Sequence, residues 1–250
     1  MTLRPSCGPP AGAVTHSARR GVQGGMRCFV IVVLAGCRTG PSTDQFVVGG
    51  DVVALSVRVD SGIVRVRASA HGSGEAADSA AGEELPSGGV RVTRTQTGAV
   101  EGRRRVVHGV LEIDARCAAW LPCESRLDIE IPAGMPVDVE VGDGAVELEG
   151  VAGEVTVNLG SGQLRVWDAA APQLRAQVGW GDSDLDFRVA PRELRVSAGG
   201  GDVRVGVPSG AYDLDLSALG GQYRRGVSQE AGAGLISLTT SSGQVSVNGY

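Results

Sequence analysis

From Val137 to Gly249, apolar and polar residues alternate in short runs, and glycine-rich turns join the runs in pairs. Six such units follow one another. Their turns are Gly142-Asp143-Gly144, Gly160-Ser161-Gly162, Gly179-Trp180-Gly181, Gly199-Gly200-Gly201, Leu219-Gly220-Gly221 and Ser241-Ser242-Gly243. The last residues of successive turns lie 18–22 positions apart, a spacing typical of stacked repeats. Alternation with a period of two assigns each run to a strand with one face inward.

Two residues past each turn stand Val146, Leu164, Ser183, Val203, Tyr223 and Val245, and four past it Leu148, Val166, Leu185, Val205, Arg225 and Val247. Before the turns, Val137/Val139/Val141, Val155/Val157, Leu174/Ala176/Val178, Leu194/Val196 and Ile236/Leu238 supply the matching apolar face. One unit cannot bury its own apolar face, so stacked units must share a core. Ser183 and Arg225 interrupt the pattern, which marks the fifth unit as atypical and a place for a bulge or insertion. Outward positions read Glu147, Arg165, Asp184, Arg204, Arg224 and Ser246. The first four alternate in sign, as favourable cross-strand pairing in a parallel stack requires. The pattern predicts an all-β fold, a parallel β-solenoid (short β-helix). The alternative is an antiparallel β-sandwich, because paired strands with glycine turns also suit hairpins.

Upstream, residues 57–66 form an early copy of the unit around Asp60-Ser61-Gly62. Residues 71–89 are rich in Gly, Ala, Ser and Glu without apolar period and read as an exposed loop insertion. Strands are expected again over 90–95, 106–115 and 127–132. The Arg103-Arg104-Arg105 run reads as a solvated turn or, in the sharper reading, an anion-binding patch. His108 falls on a strand as an ordinary residue.

With the Asp60-Ser61-Gly62 and Gly160-Ser161-Gly162 turns, the run Gly199-Gly200-Gly201-Asp202-Val203-Arg204-Val205 and the entry Leu127-Asp128-Ile129-Glu130-Ile131-Pro132-Ala133-Gly134, residues 52–249 resemble the bacterial "putative adhesin" β-solenoid family. The resemblance implies a right-handed parallel β-helix on an exported or membrane-anchored protein without known activity. Function must still be argued from the site.

The region ahead of this domain changes the picture of where it works. Residues 26–37 combine a basic start, a short apolar run and the ending Leu34-Ala35-Gly36-Cys37. They resemble a lipoprotein-type signal peptide, whose cysteine would be lipidated. The run is too short for a membrane-spanning helix, which needs about 20 residues. Residues 1–36 are thus expected to be a leader, with Met26 as an alternative start, and residues 37–50 a lipidated Cys37 plus a polar tether. Residues 51–250 would form the single domain. Past Cys37, 19 basic residues, all arginine, face 28 acidic ones, a net charge of −9. An acidic domain argues against nucleic acid as a partner. Cys117 and Cys123, an even pair in an exported chain, are expected to form a disulfide.

Candidate chemistry is sparse. The Gly-x-Gly turns lead into strands, whereas a phosphate cradle needs a helix N-terminus. Asp182, Asp184 and Asp186, with Asp168, Asp202, Asp213 and Asp215 in repeat space, could supply oxygen ligands to Ca²⁺; no other cofactor is expected and no catalytic residue is assigned. The bland account is that aspartate favours turns and acidic surfaces. Trp167 and Trp180 are either a sugar-stacking platform or covers for corners. The function expected is that of a cell-envelope lipoprotein, periplasmic or surface-exposed and on the outer rather than the inner membrane. Its non-catalytic solenoid would act as an adhesin-like binding or structural surface toward a surface glycan or envelope protein. Alternatives are a carbohydrate-active enzyme or a calcium- or glycan-binding module using residues 182–186, and a scaffold that self-associates through its ends.

Overall fold

β-Branched residues at alternate positions make strands the favoured state of most of the described residues. The computed structural model describes residues 41–49, 52–69, 89–118 and 122–250, and no helix occurs among them. Strands β1 (Ser42–Val48), β2 (Ala54–Ser69), β3 (Val90–Gly98), β4 (Val100–Val107), β5 (Val110–Cys117) and β6 (Cys123–Pro132) precede the regular units. These are β7 (Val137–Glu149), β8 (Val155–Ala169), the pair β9 (Gln173–Trp180) and β10 (Ser183–Phe187), and the pair β11 (Glu193–Gly200) and β12 (Val203–Val207). Next come β13 (Gly210–Ala218), β14 (Gln222–Arg225) and β15 (Val227–Gln229), then β16 (Gly234–Thr240) and β17 (Val245–Gly249). The leader, Cys37, His71, Trp120 and the 71–88 stretch lie outside the described residues.

Each unit is a rung, with one strand before the glycine corner and one after it. Rungs pair in parallel and in register. Val139 pairs with Val57 on one side and Val157 on the other, while Val146 lies between Val64 and Leu164. All the predicted inward valines and leucines from residue 137 to residue 205 are buried, as are Ile236, Leu238, Val245 and Val247. They form one continuous core running along the stack.

The sheet is mixed, however. β1 runs antiparallel to β3, β3 to β6, and β4 to β5. Residues 42–48, expected within the polar tether, form β1 instead, because Phe46 and Val48 pack against the core edge. The three arginines, expected in a turn, lie in β4. Arg105 pairs with Glu112, and the Arg104 guanidinium sits 4.1 Å above the Phe46 ring. His108 and Gly109 have φ of 50° and 80°, the geometry of a two-residue hairpin turn. His108 is thus a turn residue between β4 and β5, not a strand residue.

Rung order departs from chain order at both ends. β2 lies between β5/β6 and β7. At the other end, β16 and β17 lie between β11/β12 and β13/β14. The atypical fifth unit is therefore outermost, and the last unit is interior. Gln222 pairs with Val245 and Tyr223 with Ser246. The outer rung is shifted by one residue from the alignment of turns, with Gly220 against the Gly243 carbonyl. This explains the interruption at Arg225: it and Tyr223 are exposed at the end of the stack, where no further rung demands apolar residues.

Ser183 is a different exception. It occupies an inward position between Leu164 and Val203, fully buried, and its hydroxyl has no hydrogen-bond partner. A buried unpaired hydroxyl costs about 1–3 kcal/mol. Ser183→Val is expected to raise stability by roughly 1 kcal/mol, read as a higher urea midpoint with an unchanged slope.

The disulfide Cys117–Cys123 forms, with a Cα–Cα distance of 5.6 Å. It bridges β5 and β6 at the corner of their rung. Beyond this rung, β4 pairs with β5, β3 with β6 and β1 with β3.

Candidate functional site

The two outward faces of the ladder differ in chemistry. On strands after the corner, Arg65, Glu147, Arg165, Asp184, Arg204 and Ser246 align in register. This is the predicted column, extended by Arg65 and without Arg224, which pairs with Val247 instead. Arg65 Nε donates to Glu147 at 2.6 Å, and Arg204 Nη1 lies 3.3 Å from Asp184. Hydrogen bonding to those carboxylates and their charge raise both guanidinium pKa values. This face is laced by ion pairs.

The predicted aspartates are distributed rather than gathered. Asp182 Oδ1 accepts the Asp202 backbone N–H at 2.9 Å, and Asp202 Oδ1 accepts that of Gln244 at 3.0 Å. These carboxylates tie one corner to the next rung. Asp184 and Asp202 both receive Arg204. Asp213 accepts from Gln229, and Asp215 from Ser237. Among the described residues, no group of three acidic, histidine or cysteine side chains is placed to hold a metal ion.

Asp184, Asp186 and Trp167 do meet, at a depression of about 250 Å³ also lined by Arg165, Arg204 and Asn248. A bulge shapes it. Leu185 pairs with Val166 but Phe187 with Ala169, so β8 carries one extra residue, and Asp168 has φ 53°. The chain's last residue lies beside it: Tyr250 Oη donates to the Phe187 carbonyl at 2.6 Å. Burial and the nearby Asp186 push the Tyr250 hydroxyl pKa up.

The larger feature is on the opposite face, on strands before the corner. A groove of about 690 Å³ runs across rungs β2, β7, β8, β9 and β11. Its floor is the column Gly142, Gly160, Gly179 and Gly199. A β-carbon there would lie 2.2–2.5 Å from the carbonyl oxygen of the preceding rung, so close stacking keeps this column bare. Beside it stand Asn158, Gln177 and Ser197, aligned in register. At one end the groove is charged: Arg58 pairs with Glu140 at 3.1 Å, and Asp60 and Arg116 also line it. The same amide column borders a second depression of about 330 Å³ with Arg175, Arg195 and Thr239. Both arginines bond Glu193 at 2.8 Å, which holds its carboxyl below the usual range.

Trp180 lines neither the aspartate depression nor the groove; it stands at the corner, paired with Ser161 and Gly200. It follows groove residue Gly179 directly and is 67% exposed. Its ring covers Gly200, where an added β-carbon would lie 2.5 Å from Cε3 and Cζ3. The structure therefore separates the two tryptophans. The turn glycines were visible in sequence, but the amide column beside them became evident only once register was known.

Comparison of the sequence with protein-family models and with curated proteins finds no match. Among solved structures, a putative cell adhesion protein from Clostridium sporogenes aligns at 11% identity over 84% of this chain and 100% of that one, with a TM-score of 0.48. A putative adhesin from Bacteroides fragilis aligns at 11% identity over 84% and 97%, with a TM-score of 0.40. Likeness at this level leaves the role to be argued from the chain itself.

Proposed function

We propose that this chain is a lipid-anchored cell-envelope protein whose single domain, a short β-solenoid with an antiparallel cap, is a non-catalytic, adhesin-like binding module. The observation that carries this reading is the groove of about 690 Å³ on the face before the corner. Large concave sites with a few aligned polar groups are where ligands bind. Beside its own ion pairs, this face presents Asn158, Gln177 and Ser197 outward as donors and acceptors.

The address rests on the Leu34-Ala35-Gly36-Cys37 ending and agrees with the disulfide, which persists in an oxidising compartment. Lipid attached at Cys37 would hold the groove near the envelope, and the acidic charge of the domain would keep it off anionic lipid. Cys37→Ser is expected to move the protein from the membrane fraction to the soluble exported fraction, followed by immunoblotting of fractionated cells. Retention of the variant in membranes after a high-salt wash would refute anchoring at Cys37.

A further inference from the structure

We infer that both ends of the stack are built to refuse a further rung, so that the domain stays a single module and does not associate end to end with its own copies. A stack of rungs is open in principle at each end. Its outermost strands present unpaired backbone N–H and C=O groups, a template on which another chain can pair. Among the described residues, β4 pairs only with β5 and β14 only with β17, so one edge of each lies open. The core also runs to the ends: Phe46 and Val48 of β1 and Leu214 and Leu216 of β13 pack against it but are only partly buried. A stacked copy would bury them, as neighbouring rungs do within the domain.

Three features oppose that outcome. First, arginine occupies inward columns at both ends. By register, Arg94 of β3 follows buried Leu127, Arg104 of β4 follows buried Ile113, and Arg224 of β14 follows buried Val247. Asp44 holds Arg94 at 2.8 and 2.9 Å, and Arg104 lies on the Phe46 ring. Burying Arg104 or Arg224 under another rung without a carboxylate would be costly. Second, a strap blocks the edge of β13. β15 pairs with Gly210, Ala211 and Tyr212, and just past them the Gln229 side chain takes the place of a strand. Its Oε1 accepts the Leu214 N–H at 3.2 Å, and its Nε2 donates to Asp213 Oδ1 at 3.1 Å. Third, charge excludes each pairing of the open edges. β4 carries Arg103, Arg104 and Arg105 against one acid, Glu101, and β14 carries Arg224 and Arg225 with none. β4 on β4, β14 on β14 and β4 on β14 all set arginine against arginine, and like charges across strands are destabilising.

The test is light scattering behind size-exclusion chromatography over a dilution series. It uses the full chain carrying Cys37→Ser, so that no lipid drives association, with circular dichroism confirming the fold of each variant. The parent protein is expected to keep the monomer mass at every concentration. Arg224→Val/Arg225→Thr/Gln229→Ala opens one end and should double the mass, because identical ends meet about a two-fold axis and close. Arg103→Thr/Arg104→Val should do the same at the other end. The two sets combined should form filaments, since unlike ends then add without closing. Arg104→Lys, which keeps the charge, and Arg195→Ala, on a lateral face, should stay monomeric. A parent mass that rises with concentration overturns the inference, as do folded variants at both ends that remain monomeric.

Discussion

Gly162→Ala is expected to prevent the domain from folding, although it adds a single methyl group. Gly162 has φ 129°, and a β-carbon there would lie 1.6 Å from the Gly144 carbonyl oxygen. That oxygen belongs to the neighbouring rung's backbone and cannot move aside without opening the β7–β8 ladder. The φ strain alone costs about 1–3 kcal/mol. Forcing central rungs apart also breaks parallel hydrogen bonds and exposes core valines. Whole-domain stability is only about 5–15 kcal/mol, so the combined loss is of the same size. Gly134→Ala is the control, since nothing lies within 4 Å of an added β-carbon there; it should change stability by less than about 0.5 kcal/mol. Urea unfolding followed by circular dichroism measures both. A soluble Gly162→Ala protein with a near wild-type midpoint would show that the rungs are not as tightly stacked as described.

The second large effect concerns the chain's last unit. Deleting residues 234–250 removes an interior rung, because β16 and β17 lie between β11/β12 and β13/β14. Ile236, Leu238, Val245 and Val247 would be lost from the core. At about 1.5–3 kcal/mol for each such side chain buried, their removal amounts to several kcal/mol. β13 would lose its register partner, and the exposed β11/β12 edge would become a template for aggregation. Size-exclusion chromatography with limited proteolysis should show oligomers and early cleavage across 208–233. If the last unit simply ended the stack, the deletion would instead leave a stable, shorter monomer, contradicting the rung order.

That rung order shows where sequence reasoning stops. Alternation of valine with polar residues made strands, inward faces and corner glycines legible from Val137 onward, because burial imposes those residue types locally. Which rung neighbours which is a long-range choice that alternation does not encode. The one signal was chemical: Tyr223, Arg224 and Arg225 suit an end position with no rung beyond it. Likewise, Val106-Val107-His108-Gly109-Val110-Leu111 contains a hairpin signal, with Gly109 in a two-residue turn between apolar pairs. Reading the arginines as a solvated turn hid it.

The candidate site divides in the same way. The aspartates stood out in sequence because carboxylates are conspicuous, yet Asp182 and Asp202 serve corner backbone groups and Asp184 serves Arg204. Asn158, Gln177 and Ser197 looked like ordinary outward polar residues. They became a site only when register aligned them beside a bare glycine floor. Trp180 was legible as an aromatic at a corner, and the structure places it there with its ring over Gly200.

An adhesin-like role requires the domain to be displayed at the cell surface, and protease shaving of intact cells tests that requirement most directly. Cells would carry a C-terminal epitope tag after Tyr250, with a periplasmic protein as the integrity marker. The account predicts that protease added outside removes the tag while the periplasmic marker survives. A tag that stays protected until the outer membrane is permeabilised would place the domain in the periplasm and contradict an adhesin-like role.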